Sequence, residues 1–261
     1  MQIILVSDAD QVGERAADVL EQTVHAKPDA VLGFATGSSP VPVYEALRRR
    51  HLDLRSVTGF ALDEYVDIPP EHPQSYASVI RREVVERLGL DPEKVRVPDG
   101  LAADLDRAAQ SYEEAIRNAG GIDAQLLGIG ANGHIGFNEP ASSFASRTRV
   151  TALTESTREG NSRFFASVDE VPTHCITQGL GTILDARRLV LVAYGDRKAA
   201  AIARAVEGPV TSMCPASAIQ LHPRVSVIVD EAAGARLSLQ AYYRYAAAHP
   251  ARRRIPDEEP R

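Results

Sequence analysis

Val31-Leu32-Gly33-Phe34-Ala35-Thr36-Gly37-Ser38-Ser39-Pro40 decides the fold. A short apolar run rich in strand formers gives way to a glycine with two hydroxyls, and an amphipathic helix over Tyr44 to Arg50 is predicted to follow. The same unit recurs along the chain. Strands are predicted over Ile3 to Val6, Val57 to Leu62, Leu126 to Gly130, Leu189 to Tyr194 and Val225 to Val229. Helices are predicted over Asp10 to Ala26, Tyr76 to Leu88, Asp104 to Ala119, Arg197 to Glu207 and Ala232 to Ala247. Strand and helix in alternation give an α/β fold with a mostly parallel sheet covered on both faces. Ligands in such sheets bind beyond the carboxyl ends of the strands, which is where this chain places its polar and glycine-rich turns.

The 261 residues suffice for one sizeable core. A single domain over residues 1–250 is expected, with a charged, proline-containing flexible tail over 251–261. The stretch from Pro140 to Gln178 is the least regular of the interior and reads as a lid. A formal net charge of -6 with no long basic run outside the tail points away from nucleic acid and anionic membranes. The apolar run after Met1 is too short for a secretory signal or a spanning helix. Cys175 and Cys214 have neither CxxC nor Cys/His ligand spacing and read as reduced, buried thiols of a cytoplasmic protein. A homo-oligomer is compatible with the sequence.

Three turns carry chemistry. Gly37, Ser38 and Ser39, set between a strand and a helix, let backbone N–H groups approach an anion, although Gly-Ser-Ser-Pro is also ordinary turn chemistry. Lys198, in the first turn of a predicted helix, opposes the helix dipole unless an anion sits there, and Arg163 could add a bidentate phosphate contact. Asp63 and Glu64 end a strand where a carboxylate could act as a general base toward a C–H proton; a solvated acidic turn is the plainer alternative. Gly128-Ile129-Gly130-Ala131-Asn132-Gly133-His134-Ile135-Gly136-Phe137-Asn138-Glu139-Pro140 is the strongest signal. Its glycines permit tight backbone, and His134 and Glu139 are close enough in sequence to meet as an acid/base pair.

That segment, with Phe60-Ala61-Leu62-Asp63-Glu64-Tyr65, Glu71-His72-Pro73-Gln74-Ser75-Tyr76, Ser146-Arg147-Thr148, Asn161-Ser162-Arg163-Phe164-Phe165 and Pro215-Ala216-Ser217-Ala218, resembles the glucosamine-6-phosphate deaminases from about Ile3 to Asp230. The resemblance implies a Rossmann-like three-layer α/β/α sandwich, a small-molecule sugar phosphate as ligand, and neither metal nor organic cofactor. It implies that Asp63 moves the C2 proton to C1, that His134 assists ring opening, and that Glu139 tunes its proton. Gly37, Ser38, Ser39, Arg163 and Lys198 would hold the phosphate. The implied enzyme isomerises the amino sugar and releases ammonia, a hydrolase acting on an amino-sugar phosphate. Asn132 stands where many relatives carry an aspartate that orients the histidine; its carbonyl is expected to accept from the imidazole N–H without that charge. Ser142, Ser143 and Arg149 match the effector pattern of hexameric relatives, but Thr151 replaces a lysine there, and no effector site is assigned. The 6-phosphogluconolactonases share a similar Gly-x-Gly-x-x-Gly-His segment but run on without the carboxylate of Glu139. A non-catalytic sugar-phosphate sensor is the other alternative.

Overall fold

The computed structural model describes residues 1–249; the tail expected over 251–261 lies outside them. In chain order the elements are β1 (Gln2–Val6), α1 (Ala9–Ala26), β2 (Val31–Phe34), α2 (Val41–Arg49), β3 (Thr58–Ala61), β4 (Asp63–Tyr65), α3 (Tyr76–Ile80), β5 (Val95–Arg96), α4 (Leu105–Asn118) and β6 (Ala124–Leu127). There follow β7 (Arg149–Ala152), α5 (Glu155–Asn161), β8 (His174–Thr177), α6 (Leu180–Leu184), β9 (Leu189–Ala193), α7 (Ala199–Val206), β10 (Val225–Asp230) and α8 (Gln240–Ala248). A π-helical turn over Arg81–Glu86 prolongs α3.

Seven strands form one sheet in the order β1-β10-β9-β6-β2-β3-β5, and every pairing in it is parallel. All residues of β2, β6, β9 and β10 are buried, as expected of parallel strands with helices on both faces. The architecture is the three-layer α/β/α sandwich. From β2 the chain steps outward to β3 and β5; from β6 it steps the other way to β9 and β10. The order therefore reverses between β2 and β6, and their carboxyl ends flank an open crevice. Among the described residues no helix is long and apolar enough to cross a membrane.

The predicted strands and helices are present with shifted ends, save two departures. The segment from Pro140 to Gln178 is more regular than expected. Its β7 and β8 join β4 in a three-stranded antiparallel sheet, with Asp63 opposite Thr177 and Arg149 opposite the same residue on the far side. These strands have three or four residues each and mix polar with apolar positions, which leaves little periodicity to read. The second departure is the last helix. It begins at Gln240, not Ala232, because the Asp230 carboxylate takes the Ala233 N–H, and Glu207 takes the N–H groups of Ser238 and Leu239. The turns so made hold the backbone of residues 231–239 out of the helix.

Helix α1 starts on Asp8, whose carboxylate accepts from the Gln11 N–H, and it packs on α2 along a seam of small residues. Gly13 sits in that seam, where a Cβ would lie 2.3 Å from the Pro42 carbonyl oxygen. Gly13→Ala should gain roughly 1 kcal/mol of helix propensity but lose about 1–3 kcal/mol to overpacking against backbone that cannot yield. A lower urea midpoint with an unchanged slope is expected; a midpoint at or above wild type would show that the seam is not tight.

Candidate active site

The residues singled out in the sequence gather at the crevice between β2 and β6. β6 runs into the loop 128–140, which turns back on itself through hydrogen bonds from Gly130 N to His134 O (2.9 Å) and from Gly133 N to Gly130 O (3.0 Å). Gly130 has a steric reason: a Cβ there would lie 2.3 Å from the His134 ring. The imidazole lies against bare backbone, which fixes its plane.

Asp63 stands where the chain leaves the parallel sheet and enters the antiparallel one, directly after Leu62, whose N–H still bonds to Phe34 O of β2. Its carboxyl is buried against the histidine loop at Gly136 and takes a share of the Phe137 N–H, whose other acceptor is Thr177 Oγ1 at 3.1 Å. Burial and the neighbouring Glu64 charge push its pKa up to about 8, against the opposing effect of that N–H. Glu64 points elsewhere. It accepts the backbone N–H groups of Tyr65 (2.8 Å), Tyr76 (2.9 Å) and Ala77 (2.7 Å), so both its oxygens are engaged in anchoring the start of α3. Of the two adjacent acids, Asp63 alone keeps the freedom a base requires.

His134 Nδ1 lies 3.5 Å from Glu139 Oε2. Glu139 also accepts Asn132 Nδ2 at 2.7 Å on the same oxygen, and Thr154 N and Oγ1 at 3.3 and 3.1 Å on the other. Burial alone would raise its pKa; hydrogen bonds from His134, Thr157 and Asn132 and the nearby imidazole outweigh it and hold the carboxyl at about 2. The expected bond from the imidazole to the Asn132 carbonyl is not made. That oxygen accepts the backbone N–H of His134 (3.1 Å), two residues on, in an Asx turn. Asn132 touches the histidine ring through Glu139 and not directly, because its short side chain closes on the nearest backbone donor first.

The candidate anion residues converge from three loops. Gly37 has φ of +82°, and Ser39 packs against the glycine-rich start of the histidine loop at Gly128. Arg163 reaches Ser38 Oγ at 3.5 Å and lies over the Phe164 ring. Lys198 donates to Ile129 O at 2.6 Å. It sits at the N-terminal cap of α7, after a 3-10 turn over Asp196–Lys198 that the sequence reading merged with the helix. Burial, and then the charges of Arg163 and Arg197, hold its ammonium below the usual lysine range. Two cations that disfavour one another, beside hydroxyls and a helix start, form a site that an anion would relieve. Arg149, of the effector pattern, is held by Asn138 Oδ1 (2.9 Å) and Ser142 Oγ (3.2 Å).

Sequence reading passed over Thr154 and Thr157, and gave no role to Tyr65, Tyr76 and Asn161 although each lies in a quoted motif. Asn161 Nδ2 donates to Tyr65 OH at 2.9 Å, and Tyr76, hydrogen-bonded to Thr36, lies 3.4 Å from the same hydroxyl. The Thr-x-x-Thr spacing of 154 and 157 was a readable capping signal; the tyrosines gave none, being ordinary core residues by type. Two cavities elsewhere, of about 300 Å³ beside Arg147 and Asp185 and about 570 Å³ beside Arg96 and Tyr112, contain none of the residues predicted for the site. Among the described residues no group of His, Cys, Asp and Glu is arranged to hold a metal ion. Cys175 and Cys214 are buried and unpaired with each other.

The arrangement holds a desolvated carboxyl, an imidazole on a fixed carboxylate and a cationic cradle along one crevice. The profile of a family described as glucosamine-6-phosphate isomerases/6-phosphogluconolactonase matches residues 7–228. The chain is 55% identical over 249 residues to a glucosamine-6-phosphate deaminase of Arthrobacter sp. (strain FB24), covering 94% of this chain and 96% of that protein. It is 54% identical over 254 residues to one from Streptomyces coelicolor, covering 95% and 97%. A solved monomeric glucosamine-6-phosphate deaminase superposes with a TM-score of 0.89 at 39% identity, over 90% of this chain and all of that one. The 6-phosphogluconolactonase of Trypanosoma brucei shares the fold, with a TM-score of 0.74 at 18% identity over 91% and 98% of the two chains. The chain belongs to the glucosamine-6-phosphate isomerase/6-phosphogluconolactonase family.

Proposed function

We propose that the protein is a glucosamine-6-phosphate deaminase that converts glucosamine 6-phosphate and water to fructose 6-phosphate and ammonia by acid/base catalysis. The observation that carries this reading is Asp63: a buried carboxyl aimed at the loop of His134 and Glu139, beside a cationic cradle. Glu139 favours a deaminase over a lactonase, as do relatives of that name at 54–55% identity against a lactonase at 18%. A sensor would have no use for a base whose pKa lies near working pH.

On this reading Ser38, Ser39, the turn at Gly37, Arg163 and Lys198 hold the phosphate, so that binding energy remote from the reacting carbons positions C1 and C2. His134 takes the proton of the C1 hydroxyl. As the C1–O5 bond breaks, its electron pair goes to O5, which receives that proton, and C1 becomes an aldehyde. The ionised Asp63 then removes the acidified C2–H while O1 gains a proton, giving a C1=C2 enaminol. Asp63 returns its proton to C1 as the amine loses one, leaving an imine at C2 and a hydroxyl on C1; water adds at C2 and ammonia departs. Hydrolase is too narrow a class for this sequence, since the C2-to-C1 proton shift is an isomerisation. Asn132, through Glu139, keeps the histidine assembly in place. A cytoplasmic setting accords with the two buried free thiols.

Purified protein is expected to release ammonia and fructose 6-phosphate in equal amounts from glucosamine 6-phosphate; binding without turnover would mark a sensor. Asp63→Asn should lower kcat by about 100-fold or more with binding retained, and an active variant would remove Asp63 from the role of base. The same substitution has a stability signature. The folded pKa of about 8 lies above the unfolded value, so the carboxyl costs nothing below about pH 4 and destabilises increasingly up to pH 8. The Tm of Asp63→Asn should therefore match wild type near pH 4 and exceed it at pH 8.

For the cradle, Arg163→Ala should raise KM for glucosamine 6-phosphate by about 10- to 100-fold, the worth of a charged hydrogen bond, with a smaller change in kcat. An unchanged KM would place the phosphate elsewhere.

A further inference from the structure

Thr157 is buried in the first turn of α5, a helix started by Thr154, whose hydroxyl accepts the Thr157 N–H at 3.3 Å. Thr154 is itself fastened to Glu139 Oε1 through its N–H and hydroxyl. The cap thus fixes where the Thr157 side chain stands. Thr157 Oγ1 lies 3.5 Å from His134 Nδ1 and 3.1 Å from Thr154 Oγ1, which donates to it, and its own hydroxyl is among the donors that lower the Glu139 pKa. A hydroxyl has one proton and two lone pairs. Glu139, ionised, only accepts, so the Thr157 proton is directed to it. The oxygen is then left to accept from Nδ1, and the imidazole must carry its proton on that nitrogen.

We propose that Thr157 is a positioning residue for the reaction: its hydroxyl, shared between His134 Nδ1 and Glu139, selects the Nδ1–H tautomer and leaves Nε2 as the unprotonated nitrogen that accepts the sugar hydroxyl proton. Glu139 Oε2 and Thr157 Oγ1 both lie 3.5 Å from Nδ1, so neither holds the ring alone and the two acceptors share its N–H. Asn132 makes no contact of its own with the ring nitrogens, since both its polar ends are engaged elsewhere. Catalytic hydrogen bonds that are long without substrate commonly tighten once it binds.

The inference rests on the deaminase reading, and its test separates the two. Thr157→Val keeps the shape and removes the hydroxyl; Thr157→Ser keeps the hydroxyl and removes the methyl. With glucosamine 6-phosphate, the valine variant should lose about 10-fold or more in kcat with KM within about twofold, while serine should recover activity to within about threefold of wild type. A 15N NMR spectrum of histidine-labelled protein, with the His134 signals assigned by loss in His134→Gln, should show protonated Nδ1 in wild type and the serine variant, and a tautomer mixture in the valine variant. Wild-type kcat in Thr157→Val, equal loss in serine and valine variants, or an unchanged tautomer in the valine variant would each overturn the proposal. No turnover by wild type would overturn the deaminase reading itself, and this inference with it.

Discussion

The reversal of strand order between β2 and β6 is the constraint on which the rest of the molecule depends. Parallel strands need crossover connections, and crossovers that run outward in opposite directions leave the two central carboxyl ends without a covering helix. The turn after β2 supplies Gly37, Ser38 and Ser39, and the turn after β6 supplies the loop of His134. β3 lies beside β2 in register, Phe34 opposite Ala61, so its continuation brings Asp63 to the same edge. Three segments separated by up to about a hundred residues therefore meet because of the sheet, and no local motif could have brought them together.

Within that crevice two carboxyl groups are driven in opposite directions by their surroundings. Asp63 is desolvated, has Glu64 beside it and receives one backbone N–H; Glu139 is nearly as buried but is surrounded by donors from Asn132, Thr154 and Thr157. Burial raises both, and the count of hydrogen bonds decides the sign. On the proposed mechanism this division is useful: the group that must exchange a proton with carbon sits near working pH, while the group that must remain charged beside the imidazole stays ionised throughout. Had Glu64 been free to accept a ligand, the pair of acids would compete; the start of α3 removes it from contention.

The strands and turns that place the crevice were legible in the sequence because fully buried parallel strands and glycine-rich turns have distinctive compositions. The turns that bear Asp63, His134, Glu139, Ser38 and Lys198 were picked out by reading which turns follow strands; Arg163, in a 3-10 turn after α5, was picked out by residue type and resemblance. Less was legible where the determinant is a competition between nearby partners. Asn132 has the right type to serve the imidazole, but whether its carbonyl meets a ring N–H or its own neighbour's backbone N–H depends on loop curvature set by Gly130 and Gly133. The antiparallel sheet of β4, β7 and β8 escaped notice for a different reason. β4 pairs with β8 across more than a hundred positions, and four-residue segments such as His174–Thr177 have no periodicity of their own.

That small sheet and α5 give the crevice its second wall, and they explain why an irregular composition there is compatible with a fixed geometry. Thr154, at the end of β7 and the start of α5, bonds to Glu139; Asn161, at the other end of the helix, bonds to Tyr65 of β4; Arg163, two residues later, reaches Ser38. One short helix is thus tied to the histidine loop, to the strand of Asp63 and to the turn after β2. Each tie is one or two polar contacts, worth about 1 kcal/mol net apiece, so none dominates the fold. Together they give that wall a preferred seat which an anion at Arg163 would reinforce, since it would remove the repulsion that Lys198 and Arg163 now exert on one another. If the phosphate binds there as proposed, the contact that recognises the substrate also draws tight the helix that steadies the acid/base pair, and the separation of binding from chemistry along the crevice is bridged by seven helical residues.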